Sequence, residues 1–224
     1  MPPPMPLVLP IDEIRSALAH LPDWRLRLGA LHTAYAAPSA AAALGFVAAV
    51  GEAAEARDHH PDLDWRYRHV FLRSTTHQAG GRVTGRDLDL ATAVSALAAA
   101  AGLTAVPQLS RTVEIGIDTA HPDALQATWQ AALGYHPGRD GELVDPWSRS
   151  PTVWFQKTAT PADSRLHLDV HVVGDEAPVV LDEVAGTGGR LLDGSHAPSW
   201  WVMADGDGNR LCVCTPAGRD EPGG

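Results

Sequence analysis

The chain has 224 residues, 45% of them hydrophobic and 20% charged, the balance of an ordinary globular protein of one or two domains. Its net charge of −10, with Lys157 the sole lysine and no basic cluster, excludes nonspecific nucleic-acid binding, which needs cations against phosphates. No apolar run approaches the roughly 20 residues that span a bilayer, so no membrane segment is expected.

Residues 1–8, opening Met1-Pro2-Pro3-Pro4-Met5-Pro6, lack the basic and apolar regions of a signal peptide and are expected as a disordered lead. Ile11, Ile14, Leu18 and Leu21 fall at helical spacing, so residues 9–21 read as a short helix with Asp12 and Glu13 in its first turn. Pro22-Asp23 breaks it, and Trp24, Leu26 and Leu28 alternate with polar residues as a half-buried strand. A turn at Gly29-Ala30 returns a partner strand over 31–36. Pro38-Ser39 opens a long alanine-rich helix to about Arg57, with Leu44, Val47, Ala48 and Ala54 as its expected buried stripe. Residues 65–70 and 70–76 read as two more strands, and Gly80-Gly81 as a turn. Thr84 and Asp87 have the spacing of a capping box, opening a helix that buries Leu88, Ala91, Val94 and Ala98 and stops at Gly102. The order α-β-β-α-β-β-α with antiparallel strands predicts an α+β layer over residues 9–103.

Within this half the chemistry concentrates between residues 55 and 87. Pro61 pushes the preceding residue out of the helical region, so His59 and His60 are expected where a helix gives way to a loop. A third histidine, His77, ends a strand-like run. Imidazole titrates near neutrality, so such a group can supply both a proton donor and an acceptor. Glu55, then His59-His60-Pro61, Tyr67, His77 and Asp87 stand at the spacing of the pterin-4a-carbinolamine dehydratase signature, and residues 8–103 resemble that family. Leu63 departs from it, since many members carry an aromatic residue two places after the proline. The resemblance implies elimination of water from 4a-hydroxytetrahydropterin, giving quinonoid dihydropterin without metal or redox cofactor. It implies His59, His60 and His77 as the acid–base set, shared among them undivided, with Glu55, Pro61, Tyr67 and Asp87 contacting or orienting the pterin. It also implies a homodimer or larger assembly. Asp87 has a simpler reading beside this one, as a helix cap alone.

Residues 104–110 read as a linker. Beyond it a strand over 111–118 and a helix over 122–133 precede short strands within 135–157. A second round follows: strand 165–172, helix 176–187, and strands near 190–193, 199–204 and 210–215. This is an internal repeat with a period of roughly 50 residues. Ala124-Leu125, the run 129–134, Arg165-Leu166-His167-Leu168-Asp169-Val170 and the run 204–210 resemble the glyoxalase/bleomycin-resistance group of the vicinal oxygen chelate superfamily over 111–216. That resemblance implies paired βαβββ modules forming a cupped sheet, with a disordered tail at 217–224. Metal-using members place ligands on the first and last strands of each module. Those positions fall on Glu114, on Trp154 or Gln156, on His167 and on Cys212. Only Glu114 and His167 suit a hard divalent ion, so the cup is expected to hold no catalytic metal. Glu114 and His167 are then expected as a hydrogen-bonded pair, or as two groups tied separately. Trp154, Trp200 and Trp201 are candidates to line the cup, with a place in the core or at an interface the favoured reading. Cys212 and Cys214, two apart on a strand and poorly placed to bridge, fit a reducing cytoplasm.

The expectation is a cytoplasmic dehydratase fused to an accessory ligand-binding domain. Two alternatives stand beside it: a binding or dimerisation module without catalysis, and a metal-dependent enzyme acting through the C-terminal half. In a third arrangement, the cup binds a pterin or related ring for the first domain.

Overall fold

The structure, a computed structural model, describes residues 6–120, 122–123, 126, 135–159, 166–186, 189–204 and 210–217. The chain divides into two units, 1–110 and 111–224. Both are mixed α+β, and among the described residues no helix is long and apolar enough to cross a membrane.

In the first unit α1 (Ile11–Leu18) leads to the hairpin β1 (Arg25–Arg27) and β2 (Ala30–Ala36). Then come α2 (Ala40–Glu55), the hairpin β3 (Asp62–Arg66) and β4 (His69–Ser74), and α3 (Gly85–Ala100). The strands form an antiparallel sheet in the order β1-β2-β4-β3. The expected linker is not structureless: Thr104–Ala105 form a short strand, β5, that pairs with Tyr35 and Ala36, and Arg27 donates to Ser110 Oγ at 2.8 Å. Trp24, Leu31, Tyr35, Phe46, Val70, Leu72, Leu90 and Val94 build the core between sheet and helices.

Both long helices end in the same way. The α3 stop uses Gly102 at φ +67°, with Leu103 N donating to Ala98 O and Gly102 N to Ala99 O. In α2 the corresponding left-handed residue is Asp58 at φ +46°, with His59 N bonded to Ala54 O and Asp58 N to Glu55 O. The helix therefore stops at Glu55 through its own C-terminal turn, well before Pro61, which leads into β3. The buried stripe of α2 is also rotated from the expected one: Ala43, Phe46, Val50 and Ala54 face inward, while Leu44 is 47% exposed. Alanine fits either face, so it gave the period nothing to lock onto.

The second unit carries one eight-stranded sheet. Its strands are β6 (Thr112–Thr119), β7 (His136–Pro137), β8 (Leu143–Val144), β9 (Thr152–Lys157), β10 (Leu166–His171), β11 (Arg190–Asp193), β12 (Trp200–Ala204) and β13 (Arg210–Cys214). The order is β11-β12-β13-β10-β6-β9-β8-β7. Each module's first strand runs parallel to its last, β6 with β9 and β10 with β13, and the two first strands meet antiparallel at the centre. That is the paired βαβββ plan. The helix of the second module is α4 (Ala177–Gly186); the helix expected over 122–133 lies mostly outside the described residues, as do 124–125, 129–134 and 205–209.

Strand alternation sorts this sheet into two faces. Val170, Leu211, Val213, Trp201 and Met203 pack with Val172, Val180 and Leu181 in one apolar cluster, and Ile115, Ile117, Val153 and Phe155 in another. The opposite face carries Glu114, Gly116 and Asp118 beside His167, Asp169 and His171, flanked by Trp154 and by Cys212 and Cys214.

Candidate functional site

Asp87 is the centre of the first unit's polar interior, with no exposed surface. It sits at the third position of α3, and its Oδ2 accepts from Thr84 N at 2.8 Å, completing a capping box with Thr84. Capping is only part of its role. Oδ2 also accepts from Thr76 Oγ1 at 2.8 Å, and Oδ1 accepts from Ser74 Oγ at 2.7 Å and from His59 Nε2 at 2.8 Å. A buried carboxylate is tolerated when its lone pairs are filled, and here every donor comes from a different turn or strand position. With the Nε2 proton held by Asp87, Nδ1 is the His59 nitrogen left with a lone pair.

The three histidines are not equivalent. His59 is 5% exposed, drawn inward by the left-handed turn at Asp58. His60 points the other way, into solvent, with Nε2 2.9 Å from Glu55 Oε1 on the last residue of α2. His77 is exposed on a single 3-10 turn, His77–Ala79. The residue before it, Thr76, is fixed by its hydroxyl to Asp87 and by its backbone to Arg82. Asp87 thus holds His59 directly and holds the start of the turn that carries His77. Glu55 joins His60 alone. Tyr67 does not join the group: it occupies the β3–β4 turn at φ +55°, 74% exposed, at the opposite end of β3 from Pro61. A five-residue strand at about 3.3 Å per residue separates those ends by roughly 17 Å.

Ser74, Thr76 and Arg86 complete this arrangement and were not singled out from the sequence, whereas Thr84 was read there as the cap of this helix. Arg86 Nη2 donates to the Arg57 and Asp58 carbonyls, so α3 clamps the end of α2. The β4 alternation carried a signal for two of them, since Val70 and Leu72 are inward and the same phase continues to Ser74 and Thr76. A concavity of about 690 Å³ borders the motif through Asp58, Gln78 and Arg86, the sequence neighbours of His59, His77 and Asp87.

On the polar face of the second unit, Glu114 and His167 do not pair. Glu114 Oε2 lies 2.7 Å from His171 Nε2, and His167 stands between Asp118 Oδ1 at 3.6 Å and Asp169 Oδ1 at 3.5 Å. The two groups are tied separately, the second of the expected arrangements. Trp154 meets the His167 ring edge-on at 5.3 Å, and Gly116 lies opposite, where a Cβ would come within 2.6 Å of His167 Cε1. Burial pushes the Asp169 carboxyl above its ordinary range, against the pull of His167 and His171. Burial and the neighbouring Asp169 push the Cys212 thiol well up. Of the positions at which metal-using relatives carry ligands, Glu114 is engaged by His171, Gln156 is exposed and Trp154 offers no ligand atom, while His167 and Cys212 lie with Asp169 within 4.8 Å of one another. Trp200 stacks on His196 at 4.2 Å, whereas Trp201 belongs to the apolar face. Asp118, Asp169 and His171 were missed because their roles depend on register.

Comparison with known proteins agrees with this division. Residues 8–97 match the family described as pterin 4 alpha carbinolamine dehydratase, and residues 114–214 match a glyoxalase-like domain. A relative from Nocardia farcinica (strain IFM 10152), provisionally named as such a dehydratase, is 45% identical over 87 residues, 39% of this chain and 90% of its own. One from Streptomyces coelicolor (strain ATCC BAA-471 / A3(2) / M145), named in the same way, is 43% identical over 91 residues, 41% of this chain and 90% of its own. The crystal structure of a transcriptional coactivator/pterin dehydratase from Brucella melitensis shares 29% identity at a TM-score of 0.40, covering 41% of this chain and 99% of that one. The chain belongs, through its N-terminal unit, to the pterin-4-alpha-carbinolamine dehydratase family, and its C-terminal unit is a glyoxalase-like domain.

Proposed function

We propose that the N-terminal unit removes water from 4a-hydroxytetrahydropterin to give quinonoid dihydropterin. The C4a–O bond breaks as an acid protonates the departing hydroxyl, and a base takes a ring-nitrogen proton. No electrons are exchanged with a second reactant, so proton transfer alone balances the step. The observation that carries the reading is Asp87, which ties buried His59 directly and holds the start of the His77 turn through Thr76. The exposed imidazoles, His60 and His77, exchange protons with the pterin, and His60 is oriented by Glu55. His59 acts from below, as a positioning residue fixed by Asp87. Pro61 sets the exit of the chain from the histidine pair, and Tyr67, exposed at the far end of β3, has no part in this set.

His59→Ala, His60→Ala and His77→Ala should each lower kcat/KM for a 4a-hydroxypterin by about 10-fold or more, within the usual range for one acid–base group. The His60 and His77 changes should also alter the pH profile of kcat, whereas His59→Ala should lower its height and keep its shape. Wild-type turnover in all three folded variants would sink the assignment.

The same reading makes the C-terminal unit an accessory ligand-binding domain and places the chain in the cytoplasm, where Cys212 and Cys214, neither in a disulfide, remain reduced. It also makes the protein a homodimer or larger. Exposed Leu44 on the alanine-rich α2 offers a face for close helix packing, and light scattering that finds a monomer at micromolar concentration refutes it.

A further inference from the structure

Parallel pairing of β10 with β13 sets Asp169 beside Cys212 and His171 beside Cys214 on the polar face of the sheet. Ligand atoms of His167, Asp169 and Cys212 lie within 4.8 Å of one another, and so do those of Asp169, His171 and Cys214. The last three are 6%, 5% and 1% exposed. None of them occupies a position at which the metal-using relatives carry a ligand.

We propose that Asp169, His171 and Cys214 bind a divalent cation of the zinc class, with Glu114 as the outer carboxylate that orients His171. Two further observations point to a ligand. Asp169 Oδ1 is buried and accepts no hydrogen bond, its nearest counterpart being His167 Nε2 at 3.5 Å. Among the described residues the face also gathers three carboxylates, Glu114, Asp118 and Asp169, against two imidazoles, while Arg210 is exposed at the strand end opposite His167. Burying such a surplus is costly unless a cation offsets it.

The donor set selects the metal class. One carboxylate, one imidazole and one thiolate suit zinc, whereas magnesium and calcium require oxygen ligands. Ligands at 2.0–2.3 Å from zinc stand about 3.5 Å apart in a tetrahedron, so closing from within 4.8 Å needs shifts of about 1 Å. Glu114 at 2.7 Å from His171 Nε2 has the place of the carboxylate that commonly backs a zinc-bound histidine; with a proton on Nε2, Nδ1 is the ligand. Solvent takes the fourth position. Binding converts the Cys214 thiol to a thiolate and releases its proton, so affinity falls as pH falls. The ion would pin the first strand of the second module to its last, a structural clamp apart from the dehydratase reading.

The test uses the full chain, purified without metal affinity, stripped with a chelator and titrated with zinc(II) against a chromophoric competitor. Cobalt(II) serves as a second probe, because a thiolate ligand gives it a charge-transfer band. The expected result is one zinc per chain, a 10-fold or greater loss of affinity in Cys214→Ser and His171→Gln, and a loss of about 10–100-fold in Glu114→Gln. The cobalt band should vanish in Cys214→Ser, while His167→Gln and Cys212→Ser bind as the parent chain does. Far-UV circular dichroism checks folding; should Cys214→Ser not fold, His171→Gln and Glu114→Gln decide. Failure of the parent chain to take up one zinc overturns the proposal. So does a loss of affinity in Cys212→Ser or His167→Gln with none in Cys214→Ser.

Discussion

Asp87→Ala separates a helix cap from a structural hub. A cap bond alone is worth about 1 kcal/mol. Asp87 additionally accepts from His59, Ser74 and Thr76, all buried, and each donor stranded without a partner costs about 1–3 kcal/mol. One of the hydroxyls has another acceptor within reach, Thr76 turning to Thr84 Oγ1 at 2.7 Å, which argues for the lower end. Because the partners share one carboxylate the losses do not add, and we expect about 3–5 kcal/mol in all. Ser39→Ala is the control, since Ser39 Oγ caps α2 by accepting from Ala42 N at 3.1 Å and makes no other side-chain hydrogen bond among the described residues. In urea melts of the full chain followed by far-UV circular dichroism, Ser39→Ala should move the midpoint by about 0.5 M, taking a slope of ~2 kcal/mol/M. Asp87→Ala should move it by about 1.5–2.5 M with the slope unchanged. Equal shifts in the two variants would mean that Asp87 is a cap only, and the hub argument would fall.

Two further outcomes follow from closely packed groups. Burial, with Arg73 and Arg27 nearby, holds His32 down to about 3 from 6.5, so the unfolded chain binds its proton first and stability falls as pH drops below 6.5. Between pH 7 and pH 5 that should cost about 1–2 kcal/mol, and His32→Gln should flatten the dependence; an identical acid slope in both chains contradicts it. In the second unit, Gly116→Ala drives a Cβ to 2.6 Å from His167 Cε1 and 3.0 Å from Trp154 Cζ2, and should cost about 1–3 kcal/mol through the shift forced on both rings. A denaturation midpoint unchanged by that methyl group rules out the close packing.

The sequence was legible wherever a feature depends on residues a few places apart or on their order along the chain. The Thr84–Asp87 cap and the stop at Gly102 are of this kind, because caps and turns are local geometry; the two-module repeat and the spacing from Glu55 to Asp87 are patterns along the chain that need no folding to be read. It misplaced the α2 stripe, where alanine satisfies both faces, and read as linker a two-residue strand too short to show alternation. Which of two adjacent histidines turns inward became visible in the folded chain alone. His59 meets Asp87 across 28 residues of chain, a meeting set by packing α2 against α3 with β4 alongside. Likewise Glu114 meets His171 rather than His167, across 57 residues, because the register of β6 against β10 fixes which side chains share a face and which lie within reach. Register and packing are sums over many distant contacts, and no short stretch of sequence contains them.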